Sequence, residues 1–212
     1  MGIRIKKNSE NKDLSFFLRV IKFIKNNYLG VSKAFIFELD LENPGKKTGI
    51  DLDVTFRLAI KEDIEAMDKE NYNYDKNRKK YFIDRLEKGD RCILALHNDK
   101  IIGYLWIISD AMELCPSKYI SLSKNRAYVY NGFVLKEFRG RKLHAAMTEY
   151  LIDILKKDGK RFVVSAIDTK NKTSLKTRSK HRYYIIGKLI HIRFFGLKYD
   201  YIKKKGLIYL QN

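Results

Sequence analysis

The stretch from residue 127 to residue 167 constrains the fold more than any other part of the chain. Residues 127–135 (AYVYNGFVL) and 161–167 (RFVVSAI) are rich in β-branched and aromatic side chains, as strands are. Between them, residues 141–158 carry apolar side chains at helical spacing, and this pattern ends at Gly159. Two strands joined by a long helix form a βαβ unit, whose strands run parallel. The sequence therefore predicts a sheet with a parallel pair and a helix on its face.

The segments around this unit predict antiparallel strands and further helices. Asn98-Asp99 joins two β-rich runs, 91–97 and 100–108, which indicates a hairpin with a two-residue loop. From Val54 onwards the predicted order of elements is β-α-α-β-β-β-α-β-α-β-β. We therefore expect an α/β fold of the α+β kind, with a mixed, mostly antiparallel sheet, a central parallel βαβ pair and helices on both faces.

A polar, turn-rich stretch at 43–49 separates an N-terminal piece from the rest of the chain. In that piece, residues 14–24 have helical spacing, and residues 31–41 (VSKAFIFELDL) alternate as a strand does. The piece has too few apolar residues for a core of its own. We therefore predict a helix-strand extension at 1–53, packed on a main domain at 54–212.

The positive net charge of the chain has two possible explanations, an anionic partner or a bias in composition. The chain has 44 Lys and Arg against 25 Asp and Glu, a formal net charge of +19. Nucleic acid, an anionic membrane surface or a polyanionic small ligand would explain this charge. A general bias of the composition toward Lys, Ile and Asn would explain it equally well. Residues 170–205 alone hold twelve Lys or Arg and one acidic residue, a net charge of +11.

Aromatic side chains interleave with the basic ones in this segment, as they do in proteins that bind single-stranded nucleic acid. Because these aromatic residues recur at strand spacing, we also expect half of them to face a core. The six residues are Tyr183, Tyr184, Phe194, Phe195, Tyr199 and Tyr201.

Composition argues against several other classes of protein. A hydrophobic share of 45% and only two prolines exclude a disordered basic tail. No apolar run approaches the ~18 residues of a membrane span. Cys92 and Cys115 are too few for a disulfide framework and lack metal-ligand spacing. We therefore expect a cytoplasmic protein with reduced cysteines, no metal and no transmembrane segment.

One junction combines a strand end, a glycine and a group of basic residues. Residues 134–144 (V-L-K-E-F-R-G-R-K-L-H) join the first strand of the βαβ unit to its helix. Backbone N–H groups are unpaired at a helix N-terminus, where the helix dipole adds positive charge. Gly140 permits a turn, and Arg139, Arg141 and Lys142 add positive charge. The junction suits a diphosphate group, although a solvated basic turn uses the same residue types.

The same run resembles the acyl-CoA signature of the GCN5-related N-acetyltransferases, the GNAT family. That signature reads V-x-P-x-x-R/Q-G-x-G-x-G/A at a strand-to-helix turn, and the predicted order of elements is also that of the family. The resemblance covers roughly residues 54–203. Asn171 follows the next strand, as the Asn-bearing turn of the family does.

Five residues depart from the family pattern. Lys142 replaces the second glycine of the signature, and His144 replaces its third small residue. Arg182-Tyr183 stands in place of the usual Gly-Phe pair, and Arg178 stands where the family often has a tyrosine acid. These departures bear on whether acyl-CoA binding is altered.

The resemblance implies an N-acyltransferase that uses acyl-CoA as co-substrate, most simply acetyl-CoA, and lets a primary amine attack the thioester directly. The thioester would lie between strands 127–135 and 161–167, and a backbone N–H near Val134 would polarise its carbonyl. Asn171 would contact the pantetheine arm. The residues expected to bind acyl-CoA are Val134, Leu135, Lys136, Arg139, Gly140, Arg141, Lys142, Leu143, His144 and Asn171.

The sequence identifies the catalytic acid and base less clearly than the residues expected to bind acyl-CoA. Tyr128 and Tyr130 alternate with Val129, so they share one face of the strand beside the substrate. Tyr183 is a candidate proton donor by its position in the resemblance. For all three residues, packing is the alternative role. Asp110 and Glu113 are expected in a loop after the hairpin.

Two functional classes therefore remain open. The first is an acyltransferase whose amine acceptor is a small molecule or a protein. The second is a basic protein that binds nucleic acid or a membrane surface through residues 170–205 on a degenerate GNAT fold. The two can be combined, because an anionic acceptor or surface could meet the basic C-terminal segment.

Overall fold

The computed structural model describes residues 29–45, 49–72, 74–115, 118–179, 182–195 and 197–204. The strands are β1 (Leu29–Asp40), β2 (Thr55–Leu58), β3 (Arg91–His97), β4 (Lys100–Ile108), β5 (Ala111–Cys115), β6 (Lys118–Ser121), β7 (Arg126–Val134), β8 (Phe162–Asp168), β9 (Tyr183–Phe194) and β10 (Leu197–Lys204). The α-helices are α1 (Lys61–Ala66), α2 (Lys69–Tyr72), α3 (Lys76–Glu87), α4 (Leu143–Lys157) and α5 (Lys172–Ser179).

Eight of these strands form one sheet, in the order β10-β9-β1-β8-β7-β4-β3-β2. Only β7 and β8 run parallel within it, and every other neighbouring pair is antiparallel. The α4 helix connects β7 to β8, as expected of a βαβ unit. The predicted fold class, a mixed and mostly antiparallel sheet around one parallel βαβ pair, is confirmed.

Helices pack on both faces of this sheet. On one face, α3 stacks Phe82 on Trp106 of β4, with 4.5 Å between the ring centroids. On the other face, α4 packs closely on β4 at Gly103. A Cβ at Gly103 would lie 3.3 Å from the Cε of Met147 in α4. These two layers fix the position of β7 beside β4.

The predicted hairpin at 91–97 and 100–108 is present as β3 and β4. The loop expected around Asp110 and Glu113 is present at Asp110 but wrong for Glu113, which lies in β5, where β5 and β6 pair as a separate two-stranded sheet. The sequence of this segment, AMELCPSKYIS, contains Pro116 and few β-branched residues, so it lacks the composition of a strand.

The strand predicted at 31–41 is β1, and it lies inside the sheet. It pairs with β8 on one side and with β9 on the other. Ile36 and Leu39 are both almost fully buried, because alternating side chains of an internal strand meet apolar layers on both faces. The helix predicted at 14–24 lies outside the described residues. The division of the chain at residue 53 stays a prediction.

Candidate active site

The parallel pair of strands stays hydrogen-bonded only at its beginning. Residues 126–128 of β7 are in register with residues 162–164 of β8, and within these fully described strands the pairing ends there. The two strands then diverge, and residues 129–134 and 165–168 line opposite walls of a cleft of about 1700 Å³. The divergence therefore creates an opening in the middle of the sheet.

A bulge bends β7 at the same level. Asn131 and Gly132 both lie opposite Leu105 of β4, and Asn131 adopts a left-handed φ of 47°. Arg78 of α3 donates a hydrogen bond to Oδ1 of Asn131 at 2.9 Å. A Cβ at Gly132 would lie 2.9 Å from Cδ1 of Leu105, so a larger residue would force that side chain to shift. Because a bulge increases the local twist of a strand, it turns β7 away from β8.

Two buried polar atoms in the cleft have no hydrogen-bond partner among the described residues. They are Nδ2 of Asn131 and Oγ of Ser165, which lie on the two diverging strands. Buried polar atoms in folded proteins are nearly always hydrogen-bonded. Asn131 and Ser165 therefore bring unsatisfied polar groups to the two walls of the cleft.

The predicted basic turn lies at one end of the cleft. After β7, a 3-10 turn spans Lys136–Phe138, Gly140 adopts a φ of 83°, and α4 begins at Leu143. Nε of Arg139 donates to the carbonyl oxygen of Val134 at 3.0 Å, which ties the turn to the end of β7. The first N–H groups of α4 lie at this end, where the helix dipole is positive.

Most of the residues predicted to bind acyl-CoA do line the cleft. Leu135 does not: it is buried in the core, and its N–H donates to the carbonyl oxygen of Ile102 at 2.9 Å. Lys136 and Arg141 are exposed and lie off the cleft. The residues that the structure brings together are Val134, Arg139, Gly140, Lys142, Leu143, His144 and Asn171.

Lys142 occupies the position of the second glycine in the family signature, and its backbone still adopts a glycine-like conformation. Its φ is 61° and its ψ is 11°, in the left-handed region. Its carbonyl oxygen accepts the N–H of Ala145 at 2.9 Å, so the residue opens α4 as the N-cap. A residue with a Cβ pays about 1–2 kcal/mol in this region. The turn thus keeps its shape at an energetic cost.

Asn171 has a structural task as well as its place in the cleft. Its Oδ1 accepts the N–H of Ser174 at 3.1 Å, so the side chain caps the N-terminus of α5. Its own N–H donates to the carbonyl oxygen of Asp168 at 2.9 Å. The side chain is therefore held at the rim of the cleft, where the resemblance expects the pantetheine arm.

Tyr130 is the predicted catalytic tyrosine that lies in the cleft. Its hydroxyl donates to Oδ2 of Asp90 at 3.0 Å, and Nε of Arg85 donates to the same oxygen at 2.5 Å. Burial raises the pKa of the Tyr130 hydroxyl, and the nearby Asp90 carboxylate raises it further. Burial also raises the pKa of Asp90, although the charge of Arg85 opposes the shift. Tyr130, Asp90 and Arg85 thus form a hydrogen-bonded relay from the cleft into the protein.

Tyr128 and Tyr183 do not line the cleft. Tyr128 stacks on Tyr130 with nearly parallel rings, 5.9 Å apart, and packs in a small apolar cluster with Ile36. Tyr183 accepts a hydrogen bond from Arg178, whose guanidinium lies over its ring, and burial raises the pKa of its hydroxyl. Of this pair, Arg178 is the residue that reaches the cleft.

Several residues of the site have no signal of their own in the sequence. Asp90, Arg85 and Ser165 are single polar residues whose partners come from other elements. Gly132 is the exception, because an isolated glycine inside a strand pattern indicates a bulge. That signal would have located the point where β7 bends.

The cleft is cationic. Arg139, Lys142, Arg178 and Arg182 line it, against the carboxylates of Glu42 and Asp168 among the described residues. Such a surface favours a polyanionic ligand. In the described part of the chain, no group of three or more His, Cys, Asp or Glu side chains is placed to hold a metal ion.

The comparison with protein families matches the chain to the acetyltransferase (GNAT) family over residues 59–181. This span is more than half of the 212 residues and contains the diverging strands, the basic turn and α5. The chain belongs to the GNAT acetyltransferase family. The resemblance of residues 134–144 to the family signature is thereby confirmed at the level of the family.

Solved structures share the fold of this GNAT protein at low sequence identity. A functionally unknown conserved protein from Staphylococcus epidermidis has a TM-score of 0.55 and 12% identity, with 92% of this chain and 70% of that chain covered. A GNAT acetyltransferase from Colwellia psychrerythraea has a TM-score of 0.56 and 11% identity, with 84% and 62% covered. A GCN5-related N-acetyltransferase from Sphaerobacter thermophilus has a TM-score of 0.51 and 14% identity, with 90% and 58% covered. The chain thus spans about three fifths of the length of the last two proteins. Among curated proteins, no match was found.

The basic C-terminal segment of this GNAT protein has an exposed aromatic surface. Five of its six aromatic residues are more than half exposed, so the expectation that half would face a core was wrong. The register explains this result, since Phe194 pairs with Leu197 and Ile192 with Tyr199, which puts all four side chains on one face. These four side chains are 39% to 73% exposed, so no described helix covers them. None of the described helices is long and apolar enough to cross a membrane.

Replacing Lys142 with glycine separates the strain of the basic turn from its charge. Lys142→Gly relieves the left-handed strain and is expected to raise stability by about 1 kcal/mol, a Tm increase of about 2–4 °C for a chain of this size. Lys142→Ala is the matched control, because it removes the ammonium but keeps the Cβ. Thermal unfolding of both variants checks this. Equal Tm values for the two variants would show that strain is absent from the turn.

Proposed function

We propose that this protein transfers an acyl group, most simply acetyl, from an acyl-CoA to a primary amine. The observation that carries the proposal is the cleft itself, in which two diverging strands meet a basic turn at a helix N-terminus. Membership of the GNAT acetyltransferase family supports acyl transfer in general. The acceptor would be a small molecule or an amine on a protein. Two cysteines without disulfide spacing support a cytoplasmic location.

Different residues of the cleft bind different parts of acyl-CoA. The N–H groups at the start of α4, with Arg139 and Lys142, bind the diphosphate, because each contributes positive charge at one end of the cleft. The walls formed by β7 and β8 hold the pantetheine and place the thioester between the strands. A backbone N–H on the diverging part of β7 polarises the thioester carbonyl, which is worth about 3 kcal/mol when it points at the developing negative charge.

The chemical step needs proton transfer but no nucleophile from the protein. The amine nitrogen forms a bond to the carbonyl carbon, the C–S bond breaks, and CoA leaves as a thiolate that takes up a proton. The attacking amine loses a proton to the Tyr130 hydroxyl, which passes its own proton to Asp90. This route follows the hydrogen bond from Tyr130 to Asp90. A raised pKa makes Asp90 a stronger base than an exposed aspartate.

Binding of acetyl-CoA tests the proposal directly. A ligand at 100 times its Kd adds about 2.7 kcal/mol, so acetyl-CoA should raise the Tm by about 5–10 °C. Arg139→Ala removes a cation from the cleft and should weaken binding about tenfold. Lys176→Ala is the control, because Lys176 is exposed on α5 outside the cleft. Titration calorimetry measures both. No Tm shift with any acyl-CoA would refute acyl transfer, and equal losses in the two variants would refute the assigned diphosphate site.

Replacing Tyr130 with phenylalanine tests the proton relay. The variant keeps the ring and its stacking but removes the hydroxyl, so the rate of CoA release with an amine panel should fall about 100-fold. The affinity for acetyl-CoA should not change. Tyr128→Phe is the control, because Tyr128 lies on the same strand but off the cleft. Unchanged kcat in Tyr130→Phe, with a loss of stability alone, would assign the hydroxyl a structural role.

A second candidate function is attachment to an anionic membrane surface. The turn between β9 and β10 carries Phe194, Phe195 and Leu197, which are 55%, 58% and 72% exposed. Residues 170–205 around it have a net charge of +11. Apolar side chains at a hairpin tip suit insertion at the headgroup level, and each nearby cation contributes about 1 kcal/mol on anionic lipid. Aliphatic Leu197 favours lipid over nucleic acid, where aromatic stacking dominates.

Vesicle co-sedimentation tests this second function. The protein should bind vesicles that contain phosphatidylserine and not vesicles of phosphatidylcholine alone. Phe194→Ser combined with Leu197→Ser should abolish binding, whereas Ile60→Ser, which alters an exposed apolar side chain on another part of the molecule, should not. Binding to single-stranded RNA without vesicle binding would favour nucleic acid instead. Binding to neither would attribute the charge to composition.

A further inference from the structure

Arg178 is a buried cation of the candidate site. Its residue surface is 7% exposed, and it lies in the last turn of α5 against the cleft. Its guanidinium donates to the Tyr183 hydroxyl and covers the Tyr183 ring at 4.2 Å. Among the described residues, no carboxylate pairs with it. Because burial raises the pKa of Tyr183, this hydroxyl stays neutral and does not balance the charge.

Other buried arginines in this protein are paired with carboxylates. Arg85 is also 7% exposed, and it pairs with Asp90. Arg126 pairs with Glu38 at 2.8 Å, and both of these side chains are 13% exposed. A desolvated charge without a partner is destabilising, and an anion offsets that penalty. Arg178 therefore stands out as a cation whose partner is to be supplied by a ligand.

A second observation at the same end of the cleft points to a ligand. Ser165 lines the cleft, is 2% exposed, and its Oγ has no hydrogen-bond partner among the described residues. Ser165 is in register with Phe37, and the Phe37 ring packs edge-on against Tyr183 at 6.4 Å. Ser165 and Arg178 thus border one cluster of side chains across three neighbouring strands. A hydroxyl donor and a guanidinium together suit an oxyanion.

This end of the cleft is separate from the basic turn. Tyr183 is in register with Leu39 and Leu39 with Val163, which still pairs with Ala127 at the closed end of the diverging strands. Val134, where the basic turn begins, lies seven residues after Ala127. At about 3.3 Å per residue this is about 20 Å along the strand. A diphosphate bound at the turn therefore does not neutralise Arg178.

We propose that Arg178 and Ser165 bind a carboxylate of the substrate at the closed end of the cleft. This inference rests on the proposed function and names the chemistry that such a transferase selects. The carboxylate belongs either to a dicarboxylic acyl group on CoA or to an amino-acid-like acceptor. Guanidinium binds it through two parallel N–H donors, and the Ser165 hydroxyl donates a third hydrogen bond.

Calorimetry with two acyl-CoA probes tests the proposal and distinguishes the two sources. Acetyl-CoA and succinyl-CoA are titrated into the wild type, Arg178→Gln and the control Lys176→Gln, which changes an exposed lysine of the same helix. If the carboxylate is on the acyl group, Arg178→Gln weakens succinyl-CoA about 10- to 100-fold and leaves acetyl-CoA unchanged. If it is on the acceptor, both affinities stay unchanged, and KM for amino acids rises about 10- to 100-fold relative to their amides. Lys176→Gln changes neither.

Two results would overturn the proposal while the proposed function stands. The first is an equal loss of acetyl-CoA, succinyl-CoA and free CoA binding in Arg178→Gln, which would assign Arg178 to the CoA moiety. The second is no change in any affinity or KM. If Arg178→Gln does not fold, Arg178→Lys replaces it, because it keeps the charge but loses the planar fork and should show the same discrimination loss in weaker form. Failure of the wild type to bind any acyl-CoA would instead refute the proposed function.

Discussion

The loss of pairing between β7 and β8 is the constraint on which the rest of the site depends. A parallel pair inside a sheet normally continues along both strands, since each unpaired backbone group is costly when buried. Here the pairing ends after residues 128 and 164, and a cleft replaces the missing ladder. Under the proposed function, acyl-CoA between the strands would supply hydrogen bonds in place of the lost ones. The break is therefore a structural reason for binding as well as its location.

The bulge that accompanies this break is held from both faces of the sheet. Arg78 of α3 bonds to Asn131 on one face. On the other face, His144 of α4 approaches so closely that a Cβ at Gly132 would lie 3.1 Å from its Nε2. The bulge is therefore held by two helices, α3 and α4, which lie on opposite faces of the sheet. Such double support is what keeps an irregular strand segment in one conformation.

The buried charges behind Tyr130 differ from the buried charge on the cleft side of the site. Arg85 and Asp90 lie behind Tyr130 and stabilise each other away from the cleft. Arg178 lies on the cleft side and has no carboxylate among the described residues. A paired charge holds a shape, whereas an unpaired one favours an incoming anion. The site thus contains a paired arginine, Arg85, and an arginine without a carboxylate among the described residues, Arg178.

The sequence predicted the strand-to-helix turn at 134–144 better than it predicted the outer parts of the fold. Residues 134–144 were assigned to a strand-to-helix turn, and the structure places most of them along the cleft. Leu135 was misplaced because a residue type does not show which way it points at a turn, and here its side chain enters the core. The β5–β6 hairpin was missed because its composition is not strand-like. The exposed aromatic face was missed because strand spacing predicts alternation but does not say whether a second layer is present.

What the sequence determined by itself was local: the βαβ unit, the helix N-terminus with its basic turn, and the family signature around Gly140. Hydrogen bonding and side-chain periodicity act over a few residues, so a linear pattern is sufficient to record them. The tertiary structure alone decided that β1 lies between β8 and β9, that Tyr130 reaches Asp90, and that Arg178 is buried with no carboxylate partner in the described part of the chain. These features join residues that are distant in the chain, and burial and pairing exist only after the sheet has assembled.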